Sequence, residues 1–74
     1  MNAIEIVLAD GSEDRVFAEN KKEALDFLRG YSNRKGATVR VNPGGSMVEF
    51  FDTTRETAMK QAIAYVKDPE YLVW

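Results

Sequence analysis

The sequence predicts an α+β two-layer sandwich in the order ββαββα, with a mainly antiparallel sheet and both helices on one face. Three observations lead there. Apolar residues alternate at Ile4, Ile6 and Leu8, and again at Ala37, Val39 and Val41, which is the period of a half-buried strand. Turn chemistry follows each run, at Asp10-Gly11 and at Pro43-Gly44. A helix-start signal then closes each unit, at Asn20 and at Thr53. One unit is thus written twice, with Gly11/Gly44, Phe17/Phe50 and Glu23/Glu56 among the few identities, so the repeat describes how hairpin–helix units pack as readily as a duplication. The 74 residues are read as one domain, 1–74.

In the first strand Ile4, Ile6 and Leu8 share one face, and Glu5, Val7 and Ala9 the other. Asp10-Gly11-Ser12-Glu13 supplies the turn, and a short second strand from about Asp14 to Ala18 completes a hairpin. Asn20 is a favoured N-cap, and Glu23 is placed to reach back to the cap N–H. Ala24, Phe27, Leu28 and Tyr31 form one helical stripe, and Gly30 lies near the helix end. A polar loop from Ser32 to Gly36 leads to the third strand, Ala37 to Asn42, which carries Thr38, Arg40 and Asn42 on its second face.

Asn42-Pro43-Gly44-Gly45 is a strong turn, because Pro fixes φ at the first central position and Gly accepts positive φ at the next. A phosphate loop would need a Lys-Ser/Thr pair and a following helix, and here a strand follows. In that fourth strand, Met47 to Phe51, Val48 and Phe50 oppose Met47, Glu49 and Phe51. The second helix is predicted to start at Thr53 or Thr54, with Glu56 completing a capping box on Thr53. Ala58, Met59, Ala62, Ile63 and Val66 form its stripe, and Asp68-Pro69 stops it. The apolar Tyr71-Leu72-Val73-Trp74 reads as a short fifth strand or a tail packed on the body. The helix-side sheet face is then predicted to hold Ile4, Ile6, Leu8, Phe17, Val39, Val41, Val48 and Phe50. The reverse face would hold Glu5, Val7, Val16, Thr38, Arg40, Met47, Glu49 and Phe51.

Composition narrows function by exclusion. The chain contains no cysteine and no histidine. That removes disulfides, thiolate and imidazole metal sites, Ser–His–Asp and Cys–His catalysis, and a histidine pH switch. The expectation is no catalytic residue, no metal and no cofactor, hence not an enzyme. No basic stretch precedes an apolar run at the start, and no apolar segment nears the roughly 20 residues of a membrane span. A cytoplasmic protein with no membrane partner is the default reading.

The net charge of −2 conceals a dipole: −4 over residues 1–26, +4 over 27–48 and −2 over 49–74. Val7, Met47 and Phe51, with Val16 and Arg40 nearby, form a candidate partner-binding patch on the reverse sheet face, since aromatic, Met and Arg side chains are enriched at interface cores. The alternative is that Tyr71, Leu72 and Trp74 fold back over them. Asp10, Glu13 and Asp14 at the first hairpin tip read as a solvated turn, as an acidic knob for a basic partner, or as a cation site whose spacing does not match a calcium loop. Glu19, Glu23, Asp26, Asp52 and Glu56 sit mostly at helix starts, where they offset the helix dipole.

The primary expectation is therefore a non-catalytic protein-binding module, regulatory or inhibitory, with a protein partner of unknown identity; a homodimer through the open face or an edge strand is compatible with it. Size, acidity and the absence of cysteine resemble the small inhibitor proteins of phages and mobile elements, anti-CRISPR proteins included. This likeness is one of class and carries no diagnostic motif. It implies that the acids at Asp10–Asp14 and the helix starts would occupy a basic nucleic-acid channel on a target. The alternative is a single-stranded nucleic-acid binder using Arg29, Arg34, Lys35 and Arg40, with Tyr31 stacking on a base. That alternative predicts single-stranded RNA or DNA binding that falls steeply with salt, with a shallower slope in the Arg34→Ala/Lys35→Ala variant; a filter-binding titration showing no complex at low salt removes it.

Overall fold

Six elements follow one another in the order ββαββα: β1 Asn2–Val7, β2 Glu13–Ala18, α1 Lys21–Arg29, β3 Thr38–Val41, β4 Val48–Phe51 and α2 Ala58–Lys67. This is a computed structural model, and it describes residues 1–68 and 72–74. The strands form one antiparallel sheet in the order β2-β1-β3-β4. The two hairpins thus meet through their first strands, and β2 and β4 are the edges. Both helices lie on the same side, giving the two-layer α+β architecture.

Core membership explains why. Ile4, Ile6, Val39 and Val41 have almost no exposed surface, and neither do Ala24 and Leu28 of α1 or Ala58, Met59, Ala62 and Val66 of α2. These are the alternate residues of the inner strands and the stripes of the helices, closed against each other. Burying one such aliphatic side chain is worth roughly 1.5–3 kcal/mol.

The helix ends follow their capping chemistry. Asn20 has an extended backbone and its side chain accepts from the N–H of Glu23 at 2.9 Å. Glu23 reaches one residue beyond the expected cap and accepts from the N–H of Glu19 at 3.0 Å. The second helix starts later than predicted. Thr53 Oγ1 does accept from the N–H of Glu56 at 2.9 Å, but the two residues close a separate turn, in which the Thr53 N–H also donates to the Glu56 carbonyl at 2.8 Å. Thr57 is the true cap, accepting from the N–H of Lys60 at 3.2 Å. The residues between β4 and Thr57 carry the chain from the sheet edge to the helix layer, so helix geometry cannot begin at Thr53.

Phe17 is the main correction. Predicted on the helix side, it lies on the reverse face and is 58% exposed, whereas Val16, predicted outward, packs on the core. The first hairpin sets this parity. Its loop closes with Leu8 N–H donating to the Ser12 carbonyl at 2.8 Å and Gly11 N–H to the Leu8 carbonyl at 2.9 Å. Ile6 then pairs with Asp14 and Ile4 with Val16, so the even-numbered residues of β2 share the helix side. A one-residue change of parity moves every side chain of a strand to the other face.

Leu72–Trp74 forms no strand, and Tyr71 of the proposed fifth strand lies outside the described residues. Leu72 and Trp74 pack on the helix-side core, and the Val73 carbonyl accepts from Asn2 Nδ2 at 3.0 Å. These three residues therefore leave the reverse face uncovered. By this geometry, Ile6→Ala or Leu28→Ala should lower unfolding free energy by about 2–5 kcal/mol. Phe17→Ser should change it by less than about 1 kcal/mol, and urea denaturation of the three variants checks the contrast.

Candidate functional site

The register fixes what the reverse face displays. Directly opposed residues of antiparallel strands point to the same side. Arg15 lies opposite Glu5, Glu5 opposite Arg40, and Arg40 opposite Glu49. A single row crossing all four strands therefore reads Arg15–Glu5–Arg40–Glu49, positive and negative in alternation.

The row is fully connected. Arg15 Nη2 donates to Glu5 Oε2, Arg40 Nη1 donates to Glu5 Oε1 at 2.9 Å, and Arg40 Nε donates to Glu49 Oε2 at 2.6 Å. Glu5 sits beneath two guanidinium groups, and its side chain is only 10% exposed. Hydrogen bonds from Arg15 and then Arg40 hold the Glu5 carboxyl below its ordinary value. Hydrogen bonds donated to Glu49 and Glu5 likewise raise the pKa of Arg40. A carboxylate with a lowered pKa and both oxygens engaged is a poor general base.

Around the charged row lie apolar side chains. Phe17 and Phe51 stand on opposite edge strands and on opposite sides of the row, Phe17 in line with Ala3 and Phe51 in line with Thr38. Phe51 is 55% exposed, and Met47, just before β4, is 47% exposed. Val7 is half-buried beside Thr38. Of the sequence-predicted partner residues, Val7, Phe51 and Arg40 thus belong to the reverse face, with Arg40 at its centre, while Met47 precedes β4 at the sheet edge and lines a hollow with Tyr65 of α2 and Leu72. Glu13 joins them through its pairing with Val7.

The other two acids point elsewhere. Asp10 accepts from the N–H and Oγ of Ser12 at 2.9 and 2.6 Å, which closes the turn and lowers its pKa. Asp14 lies on the helix side and accepts from the hydroxyl of Tyr31, an interaction that raises the Tyr31 pKa. Among the described residues no three carboxylates gather where a cation would sit.

The basic segment does not form one patch. Arg29 is in the last turn of α1, and Arg34 and Lys35 line a shallow hollow of about 180 Å³ with Leu8, Ala9 and Asp10. Arg40 is occupied by Glu5 and Glu49. Tyr31 packs edge-on to Phe27 at 5.6 Å, with its hydroxyl engaged by Asp14. The acidic tip and the basic loop therefore meet at Asp10.

Sequence reasoning placed Glu5, Arg40 and Glu49 on one face but missed their connection; it left Arg15 unassigned and put Phe17 on the opposite face. The available signal was the alternation of charge at Glu5, Arg15, Arg40 and Glu49; only the strand register turns it into a row. No family model, no curated protein and no solved structure matches this chain. No helix among the described residues is long and apolar enough to cross a membrane.

The sign of the pH dependence follows from Glu5. Its folded pKa lies below the ordinary 4.5, so its contribution to stability is full above that value and is lost as pH falls through the lowered folded value. Glu5→Gln should cost on the order of 1–3 kcal/mol at neutral pH and flatten the acid limb of the stability profile. Urea midpoints measured between about pH 2 and 7 check both; an unchanged acid limb would mean that the row does not hold Glu5 ionised.

Proposed function

We propose that this chain is a non-catalytic protein-binding module of the cytoplasm, acting as a small regulatory or inhibitory protein, and that it meets its partner with the reverse face of its sheet. The observation carrying this reading is a sheet face left uncovered by the described residues, with Phe17 and Phe51 exposed on it around an internally neutral ionic row and the exposed Met47 at its edge. Isolated exposed apolar residues are ordinary, but aromatics and Met grouped about a rigid charged centre match the composition of interface cores. The row adds specificity, since a partner must answer its alternating charge or lose affinity.

Two features weigh against the nucleic-acid alternative. Its four basic residues lie in three places, and Arg40 is already neutralised by two carboxylates. The likeness to phage and mobile-element inhibitors rests on size and acidity. It receives limited support from the hairpin tip, where Asp10 lies beside Arg34 and Lys35 and does not form an isolated acidic knob.

The test is affinity capture with face-directed variants. Phe17→Ser and Phe51→Ser should each reduce recovery of a stoichiometric partner by at least about tenfold, while Lys60→Ser on α2 should leave recovery unchanged. Equal recovery with all three variants, or no stoichiometric partner with the parent chain together with no self-association, overturns the reading.

A further inference from the structure

We propose that a second copy of this chain occupies the reverse sheet face, related by a twofold axis running parallel to the strands, so that β2 of one copy lies over β4 of the other. The proposal rests on the protein-binding reading and names the partner.

The charge row carries the argument. From β2 to β4 it reads positive, negative, positive, negative. Reversing such a row exchanges every sign. A strand-parallel twofold between facing sheets performs that reversal, bringing Arg15 over the partner's Glu49 and Glu5 over the partner's Arg40. A twofold along the row would instead set each residue over its own copy, like charge on like. The pattern is thus self-complementary in one face-to-face arrangement and self-repelling in the other, the kind of constraint an isologous interface imposes. A foreign partner would have to bring the matching alternation independently.

Two further observations agree. The four charges are already paired within each copy, so docking removes water from a neutral network and leaves no ion unpartnered. The same operation brings the exposed Phe17 over the start of the partner's β4, beside the exposed Met47 that precedes it. Phe51 comes over the partner's Glu13, which costs affinity. The footprint is also small. Four strands at roughly 4.8 Å spacing and about five residues of length cover a few hundred Å², below the ~800 Å² per partner of tight complexes. The expected dimer is therefore weak, and because its match is largely electrostatic, salt should weaken it.

Sedimentation velocity on the full chain from about 10 μM to about 1 mM, at low and high salt, should show a concentration-dependent dimer that dissociates as salt rises. Arg15→Glu alone and Glu49→Arg alone should each weaken self-association by at least about tenfold. Mixed in equal amounts they should pair again, because both inter-copy contacts then join opposite charges. Circular dichroism checks that each variant is folded.

Since the chain has no cysteine, single-cysteine variants give a second readout that does not need the charge reversals. A bismaleimide spanning roughly the 10 Å between stacked sheets should join Arg15→Cys to Glu49→Cys, and not Arg15→Cys to itself. A monomer at every concentration overturns the proposal, as do preferential Arg15→Cys self-linking and failure of the charge-reversed pair to reassociate. If the chain is monomeric but Phe17→Ser and Phe51→Ser still abolish capture of another protein, the self-pairing fails and the binding-module reading stands.

Discussion

Pairing between the two inner strands joins β1 to β3, segments more than thirty residues apart in sequence, and every later feature depends on it. It sets Ile4 opposite Val41 and Ile6 opposite Val39, which supplies the centre of the helix-side core. The same register sets Glu5 opposite Arg40 on the other side. A slip by one residue would carry the glutamate under the helices and the isoleucines into water. The register is pinned at one end by Asn42, whose backbone takes φ 55, a left-handed conformation that asparagine tolerates better than most residues. From there its N–H donates to the Ala3 carbonyl at 2.7 Å and its side-chain oxygen accepts from the Ala3 N–H at 3.0 Å.

The two faces of the sheet solve different problems. The helix side removes aliphatic surface from water and provides most of the stability available to so short a chain. The reverse side carries charge on β1 and β3, which run through the middle of the sheet. Placing Glu5 between two arginines lets a central strand position carry charge without leaving an ion unsatisfied. On the helix-side edge Asp52 plays a comparable part. Its two oxygens accept from the N–H of Ala58 at 2.7 Å and from that of Gly36 at 2.6 Å, which ties the start of α2 to the entry of β3 and lowers its own pKa.

Much of this architecture is legible in the residues. Alternation in β1 and β3 is clean, the Asn20 cap is local chemistry, and the apolar stripes of both helices match the core. What could not be read depends on geometry that no short window contains. Glu13–Ala18 has the composition EDRVFA, where charge and hydrophobicity do not alternate, so only the hairpin loop decides whether Val16 or Phe17 turns inward. Thr53 and Glu56 carry capping chemistry that a turn can use as well as a helix. The charged row is the deepest case, because its four members come from four strands and gain meaning only once all three pairings are known. The run of positive charge from Arg29 to Arg40 misleads for the converse reason: neighbours in sequence are dispersed by the fold.

The hydrogen bond between Asn2 and Val73 ties β1 to the segment that follows α2 on the helix side, turned away from the face that carries Phe17 and Phe51. Loosening the segment after α2 would therefore be felt by β1 and the helix-side core, with the sheet's outer face left as it is.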